Sequence, residues 1–171
     1  FWKTMLKKIL SKETCKQCKF CCSFRKMSLW EVPLFSEEQK KNLEQNYQNI
    51  LFKEVEEKVF TLNLYPFYKE NTMQEEVSCF FLDCQKGCIL KEEEKPFDCK
   101  IWPFRLMKKN ESLVIALTPT CPAINSLNLD ELKIFVREEL ATLIFEYGKN
   151  NPFIIKEYRE DFPIILYENN R

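Results

Sequence analysis

Cys15-Lys16-Gln17-Cys18-Lys19-Phe20-Cys21-Cys22 places four thiols within eight residues, the densest reactive chemistry in the chain. Thiolates two residues apart converge on one metal when a tight C-x-x-C turn points both sulfurs the same way. The repeated step C-x-x-C-x-x-C is also the spacing with which ferredoxin-like loops wrap a cubane cluster. Adjacent Cys21 and Cys22 are harder to place on one ion, because neighbouring side chains diverge. One of the pair is expected to reach a second site or another edge of a cluster.

Composition narrows the chemistry further. The 171 residues suffice for one domain with a real core, and 15 Phe, 6 Tyr and 3 Trp make that core aromatic-rich. Only two glycines occur, Gly87 and Gly148, so no Gly-rich phosphate loop can be drawn and a Rossmann-type nucleotide site is not expected. Histidine is absent, which removes Ser-His-Asp and Cys-His catalysis and every mixed Cys/His zinc site. No run of about 18 apolar residues predicts a membrane-spanning helix.

Net charge is zero but uneven. Residues 1–30 carry Lys3, Lys7, Lys8, Lys12, Lys16, Lys19, Arg25 and Lys26 against Glu13, and the remainder carries the compensating negative charge. A basic arm can bind nucleic acid. It can also offset the charge of a tetrathiolate site among those lysines. The second reading is preferred, because no stacking-and-basic nucleic-acid module accompanies the arm. The nine cysteines are odd in number, and the opening Phe-Trp-Lys-Thr-Met-Leu-Lys-Lys-Ile-Leu is too charged for a signal core. Metal ligation in a reducing cytoplasm is therefore expected rather than a secreted disulfide framework.

Along the chain, residues 2–11 read as a short basic helix and Ser23–Pro33 as irregular. Ser36 with Gln39 is a capping box that opens a helix near Glu37, with Leu43, Tyr47, Ile50 and Leu51 on one face. Val59–Tyr65 alternates Phe60, Leu62 and Leu64 with Thr61 and Asn63, which predicts a strand. Gly87 can take a positive φ before Cys88, and Pro96 and Pro103 stiffen the chain around Cys99. Phe104–Lys109 and Leu113–Thr118 form a hairpin closed near Asn110-Glu111-Ser112. From Asn128, apolar residues at helical spacing predict a long amphipathic helix stopped by Gly148. A shorter helix over Phe153–Glu160 and an apolar tail Phe162–Tyr167 follow. The expected fold is α+β: one small domain with cysteine-rich loops, a β-hairpin and a long C-terminal helix. Its metal-binding core spans about 15–122 and its helical part about 128–171.

The ordered series Cys15-x-x-Cys18-x-x-Cys21-Cys22, Cys79-x-x-Leu82, Gly87-Cys88, Lys95-Pro96-x-x-Cys99-x-x-x-Pro103-Phe104 and Cys121-Pro122 resembles the YkgJ-type CxxCxxCC cysteine cluster family. That family is described as a zinc- or iron-chelating domain, and the domain of flagellin lysine N-methylases is similar to it. For those methylases an iron–sulfur cluster taking part in methyl transfer is proposed. Lys95 stands where the family often has Arg, and Lys19 where it often has Gly. Cys84 is an extra cysteine. The resemblance implies a ligand set of Cys15, Cys18, Cys21, Cys22, Cys79, Cys88, Cys99 and Cys121.

All-sulfur ligation suits an iron–sulfur cluster, such as 4Fe-4S, and zinc alike. The cubane-like loop, the lack of histidine and the flanking Phe20, Phe24, Phe80, Phe81, Phe97, Trp102 and Phe104 tilt the expectation towards a cluster. Two functions follow from different classes. One is an iron–sulfur protein in electron transfer or cluster-assisted group (methyl) transfer. The other is a zinc-stabilised binding module or maturation factor without catalysis, for which a protein partner is expected. Whether the chain is an enzyme is left open. S-adenosylmethionine would serve methyl transfer, yet no residue pattern supports it. The radical C-x-x-x-C-x-x-C loop is missing, since Cys84-x-x-x-Cys88 is followed by Lys91, and the chain is short for the barrel.

Overall fold

Ser36 begins the first well-formed helix in the way its sequence dictates. Its hydroxyl accepts from the Gln39 amide at 3.2 Å, and the Gln39 side chain accepts from the Ser36 amide at 3.0 Å. Two otherwise orphaned donors are thereby satisfied. The computed structural model describes residues 6–170. It is an α+β fold, as expected, in two compact units. One unit spans Glu13–Lys100; the other consists of residues 101–171 together with the chain's first twelve residues.

The first unit is held by short elements. Helix α1 is Lys12–Cys18 and strand β1 Ser23–Arg25, followed by tight 3-10 turns over Lys26–Glu31. Strand β2 (Leu34–Ser36) leads into α2 (Glu37–Asn46), then β3 (Phe52–Glu56) and β4 (Val59–Leu62). These strands form an antiparallel sheet in the order β2-β4-β3. Strand β5 (Glu76–Ser78) pairs antiparallel with β1, and β6 (Leu82–Asp83) pairs with β7 (Gly87–Cys88). Helix α3 is Phe97–Ile101. Phe24, Val32, Phe35, Leu43, Leu62, Leu64, Phe81 and Leu90 form the buried cluster of this unit.

Several expectations are corrected in this unit. Thr61 does not face solvent opposite Phe60 and Leu62; it is buried, and its hydroxyl donates to the Pro33 carbonyl at 3.0 Å. A satisfied hydroxyl can occupy a core position, so alternation alone misassigned the face. Helix α2 ends at Asn46, which leaves Ile50 and Leu51 beyond it, and Leu51 is exposed. Of the basic helix expected over 2–11, residues 2–5 lie outside the described residues. Leu6–Lys8 form a single 3-10 turn.

The second unit is more regular. Strands β8 (Phe104–Lys109) and β9 (Ser112–Leu117) form the expected hairpin, with Asn110 in the left-handed region at φ 53°. Helix α4 is Pro122–Asn125. Asn128 then caps α5 (Leu129–Phe135) by accepting from the amides of Asp130 and Glu131. The helix passes through a π turn at Val136–Leu140 and continues as α6 (Ala141–Asn150). Gly148 does not stop it. A Cβ there would press on the Cδ2 methyl of buried Leu106, which would have to shift, so the helix approaches β8 closely at this glycine. Residues 153–160 are not helical beyond one 3-10 turn at Pro152–Ile154; β10 (Lys156–Glu157) instead pairs parallel with β8. The apolar tail becomes β11 (Ile164–Tyr167) beside β9, giving the order β10-β8-β9-β11. The two units divide at Lys100–Ile101, and the hairpin takes its partner strands from the C-terminal region. Among the described residues no helix is long and apolar enough to cross a membrane.

Candidate metal centre

Eight of the nine cysteines fall in the Glu13–Lys100 unit. Cys15 and Cys18 lie on α1 rather than on a loop, and residues three apart on a helix share a face. The helix closes at Lys19, whose φ of 55° is left-handed, and the Cys22 amide then donates to the Lys19 carbonyl at 3.1 Å. Glycine is the ordinary occupant of such a position, and here a lysine fills it.

The 3-10 turn Phe20–Cys22 brings the Cys21 and Cys22 sulfurs to 3.9 Å. The expected divergence of this pair is not observed, because the tight turn swings both thiols together. Two thiolates about 2.3 Å from one tetrahedral ion stand roughly 3.8 Å apart. The pair is therefore spaced to share an ion.

Main-chain pairing joins this loop to the second cysteine segment. The β1–β5 ladder is prolonged by the Cys79 amide donating to the Cys22 carbonyl at 2.7 Å. Cys79 opens a turn in which the Leu82 amide donates back to its carbonyl at 3.0 Å. Strands β6 and β7 then place Cys88 opposite Leu82. Their connection is shaped by Asp83, whose carboxylate accepts from the Gln85 and Lys86 amides at 2.8 and 2.7 Å. Those two donors hold the Asp83 carboxyl below its usual range. Gly87 adopts φ 77° and rests against Lys16 of α1. The Lys19 ammonium donates to the Cys84 carbonyl, fastening the turn to the first loop while the Cys84 residue stays exposed.

Cys79 and Cys88 are half-buried against Phe24, Phe81 and the rest of the core cluster. The Cys79 thiol is pushed up to about 12, by burial first and by the charges of Cys88 and Cys21 after it, while a backbone hydrogen bond from Phe81 opposes the rise. Cys88 is also raised, chiefly by burial; a backbone hydrogen bond from Leu90 and the Lys95 charge oppose this, and Cys21 and Glu92 add to it. Amides two residues ahead of each sulfur thus support the thiolate form. Cys99, on α3, is raised well above the usual thiol range by burial and then by Cys79, Asp98, Cys21 and Cys88. The residue as a whole keeps exposed surface, so the neighbouring thiols are the firmer cause of the two. Cys99 feels the charges of Cys79, Cys21 and Cys88, Cys79 those of Cys88 and Cys21, and Cys88 that of Cys21. Among the described residues, however, no three His, Cys, Asp or Glu side chains are gathered closely enough to hold a metal ion. The four are an electrostatic neighbourhood of sulfur and not a closed coordination shell.

The remaining predicted ligands are placed differently. Cys18 is exposed at the end of α1 and Cys15 is half-buried within it. Cys121 is buried in the other unit, just before α4, where its carbonyl accepts from the Asn125 amide and side chain at 2.9 and 2.8 Å. Of the aromatic shell, Phe24, Phe81 and Phe97 are buried in the cysteine-bearing unit, Phe20 is exposed, and Trp102 and Phe104 belong to the other unit.

Two features were not read from the sequence as part of the site. The run Glu92-Glu93-Glu94 looks like a solvated loop, yet Glu92 pairs with Lys95 at 3.2 Å. Glu94 accepts from the Tyr47 hydroxyl at 2.7 Å and the Lys91 amide at 2.9 Å. Asp98, buried beside Cys99, accepts from the Leu34 amide at 3.1 Å and ties α3 to β2. The Asp98-Cys99 adjacency was legible; its role as an anchor was not. Comparison of the chain with protein-family models, with curated proteins and with solved structures found no match.

Proposed function

We propose that the Glu13–Lys100 unit is a metal–thiolate domain, an iron–sulfur protein acting in electron transfer or cluster-assisted group (methyl) transfer within a reducing cytoplasm. The observation that carries this reading is the hydrogen bond from Cys79 to Cys22, which unites the two cysteine segments beside the paired Cys21 and Cys22 sulfurs. The donor set fits the group chemically: sulfur from both segments, amide hydrogen bonds towards Cys79 and Cys88, and an apolar core on one side. Cys21, Cys79, Cys88 and Cys99 would be the principal ligands, with Cys15, Cys18 and Cys22 at hand on the same segment of chain. Cys121 is carried only by the family resemblance. A bound cluster would supply one-electron chemistry at a potential set by the charge, hydrogen bonding and solvent exposure of its sulfurs. The chain's contribution is to hold the sulfurs on pinned turns, to exclude water with Phe24 and Phe81, and to place amide donors against developing negative charge.

A second reading, a zinc-stabilised binding module or maturation factor engaging a protein partner, has its own observation. The 3.9 Å between the Cys21 and Cys22 sulfurs suits two thiolates on one ion. Thiolates on separate irons of a cubane stand farther apart.

Metal and acid-labile sulfide analysis with a visible spectrum, on anaerobically purified protein, tests the proposal. Iron with sulfide and a brown chromophore is expected, lost in Cys79→Ser and Cys99→Ser and kept in Cys84→Ser. Colourless stoichiometric zinc would replace the first reading with the second. Protein that takes up neither metal with its thiols reduced would sink both.

A further inference from the structure

Phe20–Cys22 is a single 3-10 turn whose main chain is fixed from within and from outside. The Cys22 amide donates to the Lys19 carbonyl at 3.1 Å, and the Ser23 amide donates to the Phe20 carbonyl. From outside, the Cys22 carbonyl accepts from the Cys79 amide at 2.7 Å, which ties the turn to the β1–β5 ladder. Successive side chains on a 3-10 helix stand about a third of a turn apart, so neighbours ordinarily diverge. Here the Cys21 and Cys22 sulfurs nevertheless lie 3.9 Å apart, within S–H···S reach. The turn already holds the two residues together, so little chain entropy opposes a bond between their sulfurs. Both residues are half-buried, which leaves surface through which a small reactant can approach.

We propose that Cys21 and Cys22 are a reversible redox pair, which a small-molecule disulfide converts into a vicinal disulfide. One cysteine thiolate attacks the S–S bond of the oxidant, forms a mixed disulfide and releases the first oxidant thiolate. The neighbouring thiolate then attacks the protein sulfur of that mixed disulfide. The Cys21–Cys22 bond forms, and the second oxidant thiolate leaves. The two protons given up by the cysteines end on the two released thiols, so the exchange balances with no further reactant. The product is strained. Cα atoms joined by a trans peptide stand about 3.8 Å apart, whereas ordinary disulfides begin at about 4.4 Å. The turn brings the sulfurs close but resists the last step, and such a bond belongs to the labile, easily reduced kind. The strain falls on the Cys22 residue, whose carbonyl holds the Cys79 amide, so oxidation loosens the junction between the two cysteine segments. The inference requires no bound metal.

Trypsin supplies a direct readout. It cleaves after Lys19 and Arg25, and the peptide Phe20-Cys21-Cys22-Ser23-Phe24-Arg25 then carries these two cysteines and no other. The reduced full chain is equilibrated anaerobically with mixtures of glutathione and glutathione disulfide, quenched in acid, alkylated with N-ethylmaleimide and digested. As the share of glutathione disulfide rises, the peptide is expected to lose both labels together. It should appear by mass spectrometry as one chain, two hydrogens lighter than its dithiol form. Excess glutathione is expected to restore both labels. A peptide that keeps both labels throughout would overturn the proposal, as would one joined to the peptide carrying Cys15, Cys18 or Cys79. A peptide that stops at the glutathione adduct would overturn it too, because the second exchange then does not close. So would a Cys21–Cys22 bond that survives excess glutathione, which would be a structural disulfide and not a reversible pair.

Discussion

The 101–170 unit and the 13–100 unit answer the same requirement, burying a backbone, by different means. In the first, two six-residue strands and a long helix bury whole apolar side chains: Phe104, Met107, Val114, Ile115, Leu140, Ile144 and Phe145 are all sealed from solvent. In the second, strands of two to five residues are joined by turns that polar contacts close. Asp83 shapes the β6–β7 connection, Asp98 ties α3 to β2, and Tyr47 reaches Glu94. Large apolar groups also remain exposed there, among them Phe20, Met27, Tyr65, Phe67 and Met73. Ladders this short cannot hold many thiols in register through the hydrophobic effect alone, and a polar tie at each turn supplies the local order.

The contrast is broken most severely through Phe104. Phe104→Ala removes a fully buried ring and is expected to cost about 3–5 kcal/mol of unfolding free energy in denaturant titration. Hydrogen exchange read by segment should show protection lost across 104–117 and retained at 23–25 and 76–79. Equal losses in both segments would mean that the two units do not differ in what sustains them.

A smaller effect is expected at Gly148. An added methyl group meets Leu106, which is itself fully packed, and overpacking costs about 1–3 kcal/mol. Replacing glycine by alanine inside a helix returns up to about 1 kcal/mol. Gly148→Ala should therefore destabilise by about 1–2 kcal/mol in the same titration, and a stabilised variant would show that α6 can move away from β8.

The mildest test sharpens the comparison from the polar side. Tyr47 is pushed up to about 12, by its hydrogen bond to Glu94 first and burial second, and the same hydrogen bond holds the Glu94 carboxyl below its usual range. A raised tyrosine contributes stability that is complete below its unfolded value of 10.0 and is lost as pH climbs towards about 12. A lowered carboxylate contributes above its unfolded range and is lost as pH falls through its folded value. Tyr47→Phe should thus cost about 1 kcal/mol at neutral pH, kept small by the solvent around both groups. The difference from wild type should shrink towards both extremes in melting curves recorded across pH. A pH-independent difference would assign the effect to the edge-to-face contact of Tyr47 with Phe81 instead.

What was legible in the sequence follows from interactions that span a few residues. The capping box of Ser36 and Gln39, the Asn128 cap and the hairpin closed at Asn110 are decided by neighbours within four positions. The apolar period of residues 129–147 likewise predicts the long helix, though not the π turn within it. The cysteine spacing pointed to sulfur chemistry, and eight of those cysteines do share one unit. Pattern failed where a partner distant in sequence intervenes. Thr61 is buried where Pro33 offers a carbonyl, and Gly148 lies inside the helix where Leu106 packs closely against it. Residues 153–160 are drawn out of helix where β8 offers β10 a parallel edge.

By itself, then, the sequence determined that the chain carries nine cysteines and no histidine, and it determined the helices and hairpin that begin and end on local caps and turns. Only the tertiary structure decided which cysteines become neighbours. Cys21 and Cys79 are 58 positions apart, yet a single ladder prolonged from Cys22 to Cys79 sets their sulfurs within reach of each other's charge. It decided equally that Cys121 belongs to the other unit and that Glu94 meets the Tyr47 hydroxyl. The physical reason is range. Caps, turns and periodicity act over one or two turns of chain, whereas the convergence of charges and sulfurs depends on strand register, which no local pattern encodes.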